Sequence, residues 1–477
     1  MDFDLSKRYC YYFNEISKIP RGSGNEKAVS DYVVGFAEEH GLAYKQDHVW
    51  NVIIEKDASE GYENAEPLIM QAHLDMVNEK NKTSSHNFDT DPLDLYVEDG
   101  WLKARGTTLG CDDGYGVSYM LAILEDDTLP HPPLVCIFTT MEEIGLLGAR
   151  EIKAEDVHGK RLINLDSGGE TITNVSSAGG ATGLVTKTFE YEANDLPCYS
   201  LAVRGLLGGH SGGLIHTEKG NSNIIGFRIL KELRLAGIDL NLVSFTGGLK
   251  YNAIPREADA VFASGADPDC ILSTIKRISD EIKAELEFSD GGFYTECTPC
   301  EASDKRLPKD VSDNIIDFFF LVPDGFQHRS MAIEGLTVAS LNMGVVRLEN
   351  GQLSGQSLIR CALGSHTDLL LNRMITLGRL LNINVEAADR YPGWSYAEVS
   401  PLRDIYRDVL AGHGIELETR ATHGGLEASV FKGLVPDMDI ITFGPVAKGA
   451  HTPDETLNLE SFDRAYGYLC EIIKACR

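Results

Sequence analysis

Histidine, aspartate and glutamate stand at the ends of successive apolar runs in this chain. The run Pro67–Ala72 leads into His73 and, two residues on, Asp75. The run Pro133–Thr139 leads into Glu142 and Glu143, LINLD ends on Asp166, and the turn TLGCDDG carries Asp112 and Asp113. Far downstream, GAHTPDE adds His451. Imidazole and carboxylate donors without cysteine suit zinc, manganese or cobalt. Two such ions about 3.5 Å apart need a shared ligand, and a carboxylate has two oxygens to share. The assignment that fits is His73 and Asp166 on one ion, Glu143 and His451 on the other, and Asp112 bridging. Asp75 then orients His73 through its second ring nitrogen. Glu142 is next to a ligand but cannot easily share its metal, which leaves it free as the general base for a bridging water.

Taken singly, each residue has an ordinary explanation. A histidine at a strand end is more often a hydrogen-bonded structural residue than a ligand. Paired aspartates in a glycine-rich turn are ordinarily turn and cap residues, and paired glutamates a solvated strand end. The joint pattern is the specific one, because chance would scatter these residues rather than set them at the ends of consecutive strands.

Those strands form the scaffold. An uncharged apolar run reads as a fully buried strand, and in an open α/β sheet ligands bind beyond the carboxyl ends of the strands. Strands alternating with helical stretches through the first third indicate an α/β domain with a mostly parallel central sheet. After Gly179 and Gly180 the pattern changes. Residues 181–389 read as an inserted α+β domain of two related halves, and residues 1–180 and 390–477 as the domain to which His451 returns. In the insertion, His210 lies in GGHSGG, where flanking glycines let a backbone approach a ligand closely and equally suit a mobile loop with an incidental histidine. Asn252 in YNAIP and Arg360 in SLIRC are weaker signals, a lone arginine in a strand being usually solvated or salt-bridged. His423 in THGGLE has flanking glycines that suit a site-facing loop or a plain turn.

A chain of 477 residues exceeds one core of ordinary size, which agrees with two domains. A net charge of −29 argues against nucleic acid or an anionic membrane as partner, while metal ions and small zwitterions stay compatible. No stretch approaches the roughly 18 apolar residues of a membrane span, and the N-terminal residues lack the apolar core of a leader, so a cytoplasmic location is expected. The cysteines show no regular spacing beyond Cys297 and Cys300 and are expected as reduced thiols.

The ordered motifs HLD, GCDDG, MEE, NLD, GGHSG, NAIP and HTPDE resemble the M20 metallopeptidases, most closely their cytosolic aminoacyl-histidine dipeptidases, over nearly the whole chain. The resemblance implies a di-zinc peptidase catalytic domain with an inserted lid domain, two Zn2+ replaceable by Co2+ or Mn2+, and a cis peptide between Asp112 and Asp113. It implies the same metal ligands, Glu142 as general base and Asp75 as the clamp on His73. His210 would steady the oxyanion, and Asn252 and Arg360 would hold the substrate's C-terminal carboxylate. The expected activity is hydrolysis of Xaa-His and other dipeptides, within one chain or a homodimer. The alternatives are an N-acyl amino acid deacylase of the same architecture and, more distantly, a non-catalytic metal-dependent binding protein.

Overall fold

The strand Leu68–His73 buries all six of its side chains, as an apolar strand flanked on both sides must. In the computed structural model, which describes residues 3–477, it runs parallel to Leu134–Thr139 on one side and Arg161–Asn164 on the other. Asp439–Thr442 extends the parallel order, and the antiparallel pair Ala43–Gln46 and Val52–Lys56 forms the opposite edge. The six-stranded sheet is therefore mostly parallel, and the fold is α/β as expected. Register pairs His73 with Thr139 and Gln71 with Asn164. Three neighbouring strands thus end at nearly one level, and the residues that follow them emerge along one edge of the sheet.

Helices Arg8–Ile16, Cys111–Glu125 and Leu459–Ala475 share one apolar core with this sheet. Cys111–Glu125 is buried almost all round, so it cannot face water on any side and serves as an interior support. The Tyr119 hydroxyl ties it to the last helix by donating to Phe462 O at 2.6 Å. A small sheet of Leu95–Glu98, Trp101–Ala104, Ala447–Lys448 and Thr456–Asn458 brackets the loop that carries His451.

The chain divides into two compact units. The first runs to Ser176 and resumes over Trp394–Ala421 and Leu426–Arg477; the second comprises Ser177–Gly393 and Thr422–Gly425. The second unit is built on a nine-stranded antiparallel sheet. Helices Ser222–Leu235, Pro268–Glu285, Lys309–Leu321 and Gly364–Leu380 pack with it in a second apolar core. All ten cysteines are free.

One carboxyl group of this unit is held out of its ordinary range. Asp324 Oδ1 accepts from Met343 N at 2.7 Å and from Asn221 Nδ2 at 3.1 Å, while burial pushes the pKa from 3.8 up to about 7. Between those values the folded chain holds a proton that the unfolded chain has released, so this residue's contribution to stability is complete below the lower value and lost as pH rises through the upper one. Asp324→Asn removes that dependence. Urea unfolding at about pH 5 and about pH 8 should show the variant gaining on the parent at the higher pH; an unchanged difference would contradict the assignment.

Candidate functional site

The turn between Thr108 and Gly114 positions Asp112, and it is held from below by charge. Glu455 accepts the backbone N–H groups of Leu109 at 2.8 Å, Gly110 at 3.0 Å, Cys111 at 2.9 Å and Asp112 at 3.3 Å. Arg21, fully buried, donates Nη1 to Leu74 O at 2.8 Å and Asp75 O at 3.1 Å, and Nη2 to Gly110 O. Its charge is met by Glu455, Asp75 and Asp113. Gly110 has φ +64°, and an added Cβ would lie 2.7 Å from Arg21 Nη2 and 2.8 Å from Met76 Sδ, so the turn admits only glycine there. The Asp112–Asp113 peptide is cis.

Around Asp112 the donors converge. Its Oδ1 lies 3.0 Å from His73 Nε2 and its Oδ2 3.3 Å from His451 Nε2. His451 Nε2 is also 2.9 Å from Glu143 Oε1. On the far side of the His73 ring, Nδ1 lies 3.1 Å from Asp75 O and 3.4 Å from Asp75 Oδ1, which keeps a proton on Nδ1 and turns Nε2 toward Asp112. Asp75 is itself locked, because its two oxygens accept Glu142 N at 2.9 Å, Glu143 N at 3.2 Å and Ser23 Oγ at 2.8 Å. The residue that orients His73 therefore also sets the backbone that carries both glutamates.

The electrostatics record an excess of negative charge. Burial, reinforced by Glu427, Glu143 and Asp112, pushes Glu142 well above its ordinary pKa despite the opposing effect of His73. Burial and the Asp112 and Glu142 charges do the same to Asp166. Burial works against a charged His73, yet Asp112 and Asp75 outweigh it and hold the ring well above its ordinary value. Asp112 and Glu143 push His451 up to about 10. Glu143 Oε1 is buried, with the His451 ring nitrogen 2.9 Å away as its neighbour. Imidazole and carboxylate groups gathered at such distances could exchange the protons between them for a cation, and His73, Asp112 and Glu143 alone bring three ligand atoms within 4.8 Å of one another. The residues present thus suit divalent metal. Asp166 is outside that cluster of three and is related to Asp112, His73 and Glu142 through charge.

Three residues with no signature in the sequence complete this part of the structure. Glu427, fully buried, accepts from Gln71 Nε2 at 2.6 Å and Thr139 Oγ1 at 2.7 Å, and Gln71 Oε1 accepts Asn164 Nδ2 at 2.6 Å. This ladder ties together the three strands that lead into His73, Glu142 and Asp166; burial pushes the Glu427 carboxyl up to about 7. Arg21 and Glu455 are the others. Glu455 was visible as the last residue of HTPDE, but nothing in its type marks it as an acceptor for a distant turn.

His210, Asn252 and Arg360 lie in the second unit. His210 Nδ1 accepts the N–H groups of Gly212 at 3.2 Å and Gly213 at 3.1 Å, so the neutral ring carries its proton on Nε2. Burial and then Arg360 lower its pKa, which favours that neutral form. Asn252 follows Tyr251 in a loop pinned by Asn342, whose amide donates to Tyr251 O and Ala253 O, each at 2.9 Å. Arg360 is buried, with Nη1 3.5 Å from the Tyr391 hydroxyl and Nε unpartnered.

Comparison with known proteins gives a consistent picture. Residues 69–475 match the family model described as peptidase family M20/M25/M40. The chain is 34% identical over 468 residues to the cytosol non-specific dipeptidase of Escherichia coli K12, covering 97% of this chain and 96% of that one. The crystal structure of the aminoacylhistidine dipeptidase from Vibrio alginolyticus superposes with a TM-score of 0.91 at 32% identity, covering 98% of this chain and 96% of that one. The aminopeptidase PepT from Bacillus cereus shares the fold, with a TM-score of 0.58 at 14% identity and full coverage of both chains.

Removing the support of the Asp112 turn should be costly. Glu455→Ala leaves the Leu109–Asp112 N–H groups without their acceptor and Arg21 short of counter-charge, and is expected to lower the unfolding free energy by about 3 kcal/mol or more. Urea denaturation of the metal-free protein measures it. A loss below about 1 kcal/mol would mean that solvent or a neighbour replaces the carboxylate.

Proposed function

We propose that this chain, which belongs to peptidase family M20/M25/M40, hydrolyses dipeptides, Xaa-His among them, with two zinc ions held by His73, Asp112, Glu143, Asp166 and His451. The observation that carries the reading is the arrangement around Asp112, one carboxylate oxygen toward each histidine, with Glu143 against the second. Cobalt or manganese can replace zinc in such a donor set. The dipeptidase relatives support the substrate class. The reading assigns residues 1–180 and 390–477 to a catalytic domain and residues 181–389 to a lid of two related halves. It places the enzyme in the cytoplasm, needs no nucleic acid or membrane, and accommodates a homodimer without requiring one. Among the described residues no helix is long and apolar enough to cross a membrane.

Held by these residues, the ions would supply the charge that acidifies a water molecule and polarises the scissile carbonyl. Glu142 would take a proton from the attacking water and later hand it to the leaving amine. Its raised proton affinity suits both steps. Asp75 keeps the His73 proton on Nδ1, so that Nε2 stays a donor atom for metal. His210 offers Nε2–H to the oxyanion that develops on the carbonyl. Asn252 and Arg360 take the C-terminal carboxylate, Arg360 through paired N–H groups. Acidic groups at the other end take the free amine, and recognition of both termini restricts the substrate to two residues.

The zinc-loaded protein should cleave Ala-His, β-Ala-His and Leu-Gly and leave a tripeptide and N-acetyl amino acids intact. Cleavage of the N-acetyl compounds alone would transfer it to the deacylases, and inertness toward the whole panel would make it a binding protein. Glu142→Ala should abolish turnover, with zinc content by plasma emission unchanged. Substantial residual activity in that variant would remove Glu142 from the role of base.

A further inference from the structure

His423 is buried, with Nε2 2.7 Å from the hydroxyl of Ser340 and Nδ1 without any partner. Ser340 and Arg360 are direct cross-strand partners in the antiparallel pair Thr337–Glu349 and Gln352–Cys361, so their side chains rise from the same face of the sheet. Arg360 is buried too, its Nε is unpartnered, and among the described residues no aspartate or glutamate forms an ion pair with it. A guanidinium with no carboxylate partner, its Nη1 reaching only the Tyr391 hydroxyl at 3.5 Å, and an imidazole nitrogen without a partner leave two buried groups wanting an acceptor, an arrangement that suits an anionic ligand.

The protonation of His423 is set by its surroundings. Burial, followed by Arg360, His216 and His210, lowers its pKa to about 3, so the ring is neutral and adds no charge. With the Ser340 hydroxyl donating to Nε2, the ring proton lies on Nδ1, which no group meets in good hydrogen-bond geometry; the Thr337 backbone only partly offsets the lowered proton affinity.

We infer that His423, held by Ser340 beside Arg360, donates Nδ1–H to the C-terminal carboxylate of the substrate and is a substrate-binding residue of the second unit. This rests on the dipeptidase reading for the identity of the anion. Arg360 supplies the charge, and His423 supplies a neutral donor of fixed direction. A C-terminal amide has a weaker acceptor and brings an N–H of its own, so it gains less from that donor.

The test separates the two ring nitrogens. In His423→Asn the side-chain nitrogen falls where Nδ1 was; in His423→Gln the longer side chain reaches Ser340 and leaves the Nδ1 position empty. Binding to the zinc-loaded protein is measured by titration calorimetry with a dipeptide whose peptide bond is reduced to an amine, and with its C-terminal amide. This readout stays informative even if the wild-type protein cleaves no dipeptide, an outcome that overturns the functional reading on its own. His423→Gln should weaken the acid roughly 10-fold or more, as loss of a hydrogen bond to a charged group does, and leave the amide within about twofold. His423→Asn should hold the acid within about threefold of wild type. With a natural dipeptide, His423→Gln should raise KM and spare kcat. If His423→Gln does not fold, judged by circular dichroism, Ser340→Ala takes its place and should weaken the acid in the same selective way. Equal loss for acid and amide, no loss for the acid, or Asn behaving as Gln would overturn the inference.

Discussion

A carboxylate removed from water must find a cation or several hydrogen-bond donors, or it takes up a proton. Around the sheet ends of the first unit, carboxylates outnumber the internal groups that could answer them. Asp75 and Glu455 are answered in full, by backbone amides, Ser23 and the field of Arg21. Asp112, Glu142, Glu143 and Asp166 are left with two histidines. The answered set builds the scaffold and the unanswered set makes the opening for a cation. Both sets depend on the parallel strands ending at a common level, because a one-residue slip in register would turn the ligand residues to the other face.

Asp75 links the two sets. It bonds the backbone of Glu142 and Glu143 and lies against His73, so the orientation of an imidazole and the course of the loop after Thr139 are one variable. The Arg21 guanidinium adds a second link by holding Leu74 O, Asp75 O and Gly110 O together, which joins the His73 strand to the Asp112 turn. Preorganisation of this kind keeps donor atoms in place before a ligand arrives.

What the sequence made legible was the part governed by local pattern. The buried strands, the acidic and histidine residues at their ends, and the sheet's parallel character follow from apolar runs punctuated by helices. The supports did not show, because a long-range hydrogen bond has no local period. Arg21 follows Pro20 in an ordinary loop, Glu427 follows two glycines and a leucine, and Asn342 lies mid-strand; their partners are 53 to 356 residues away in sequence. The strand Gly179–Thr188 was hidden for a different reason. Three glycines in GGATGLVTKT dilute its alternation, yet it is paired on both sides within the nine-stranded sheet. Gly180 fits there because a Cβ would lie 2.3 Å from Ile359 O. A sequence boundary at residue 180 therefore falls inside a strand that belongs wholly to the second unit.

The second unit inverts the electrostatic logic of the first. There the unanswered groups are donors: the Arg360 guanidinium, the Nδ1 side of His423 and the Nε2–H of His210. The two histidines are kept uncharged chiefly by burial, and Arg360 lowers their proton affinity further. A neutral imidazole donates without adding repulsion, which lets three donors share a neighbourhood with a single positive charge. One unit is thus short of cations and the other short of acceptors. A deficit of cations suits a metal ion, and a deficit of acceptors suits an anion.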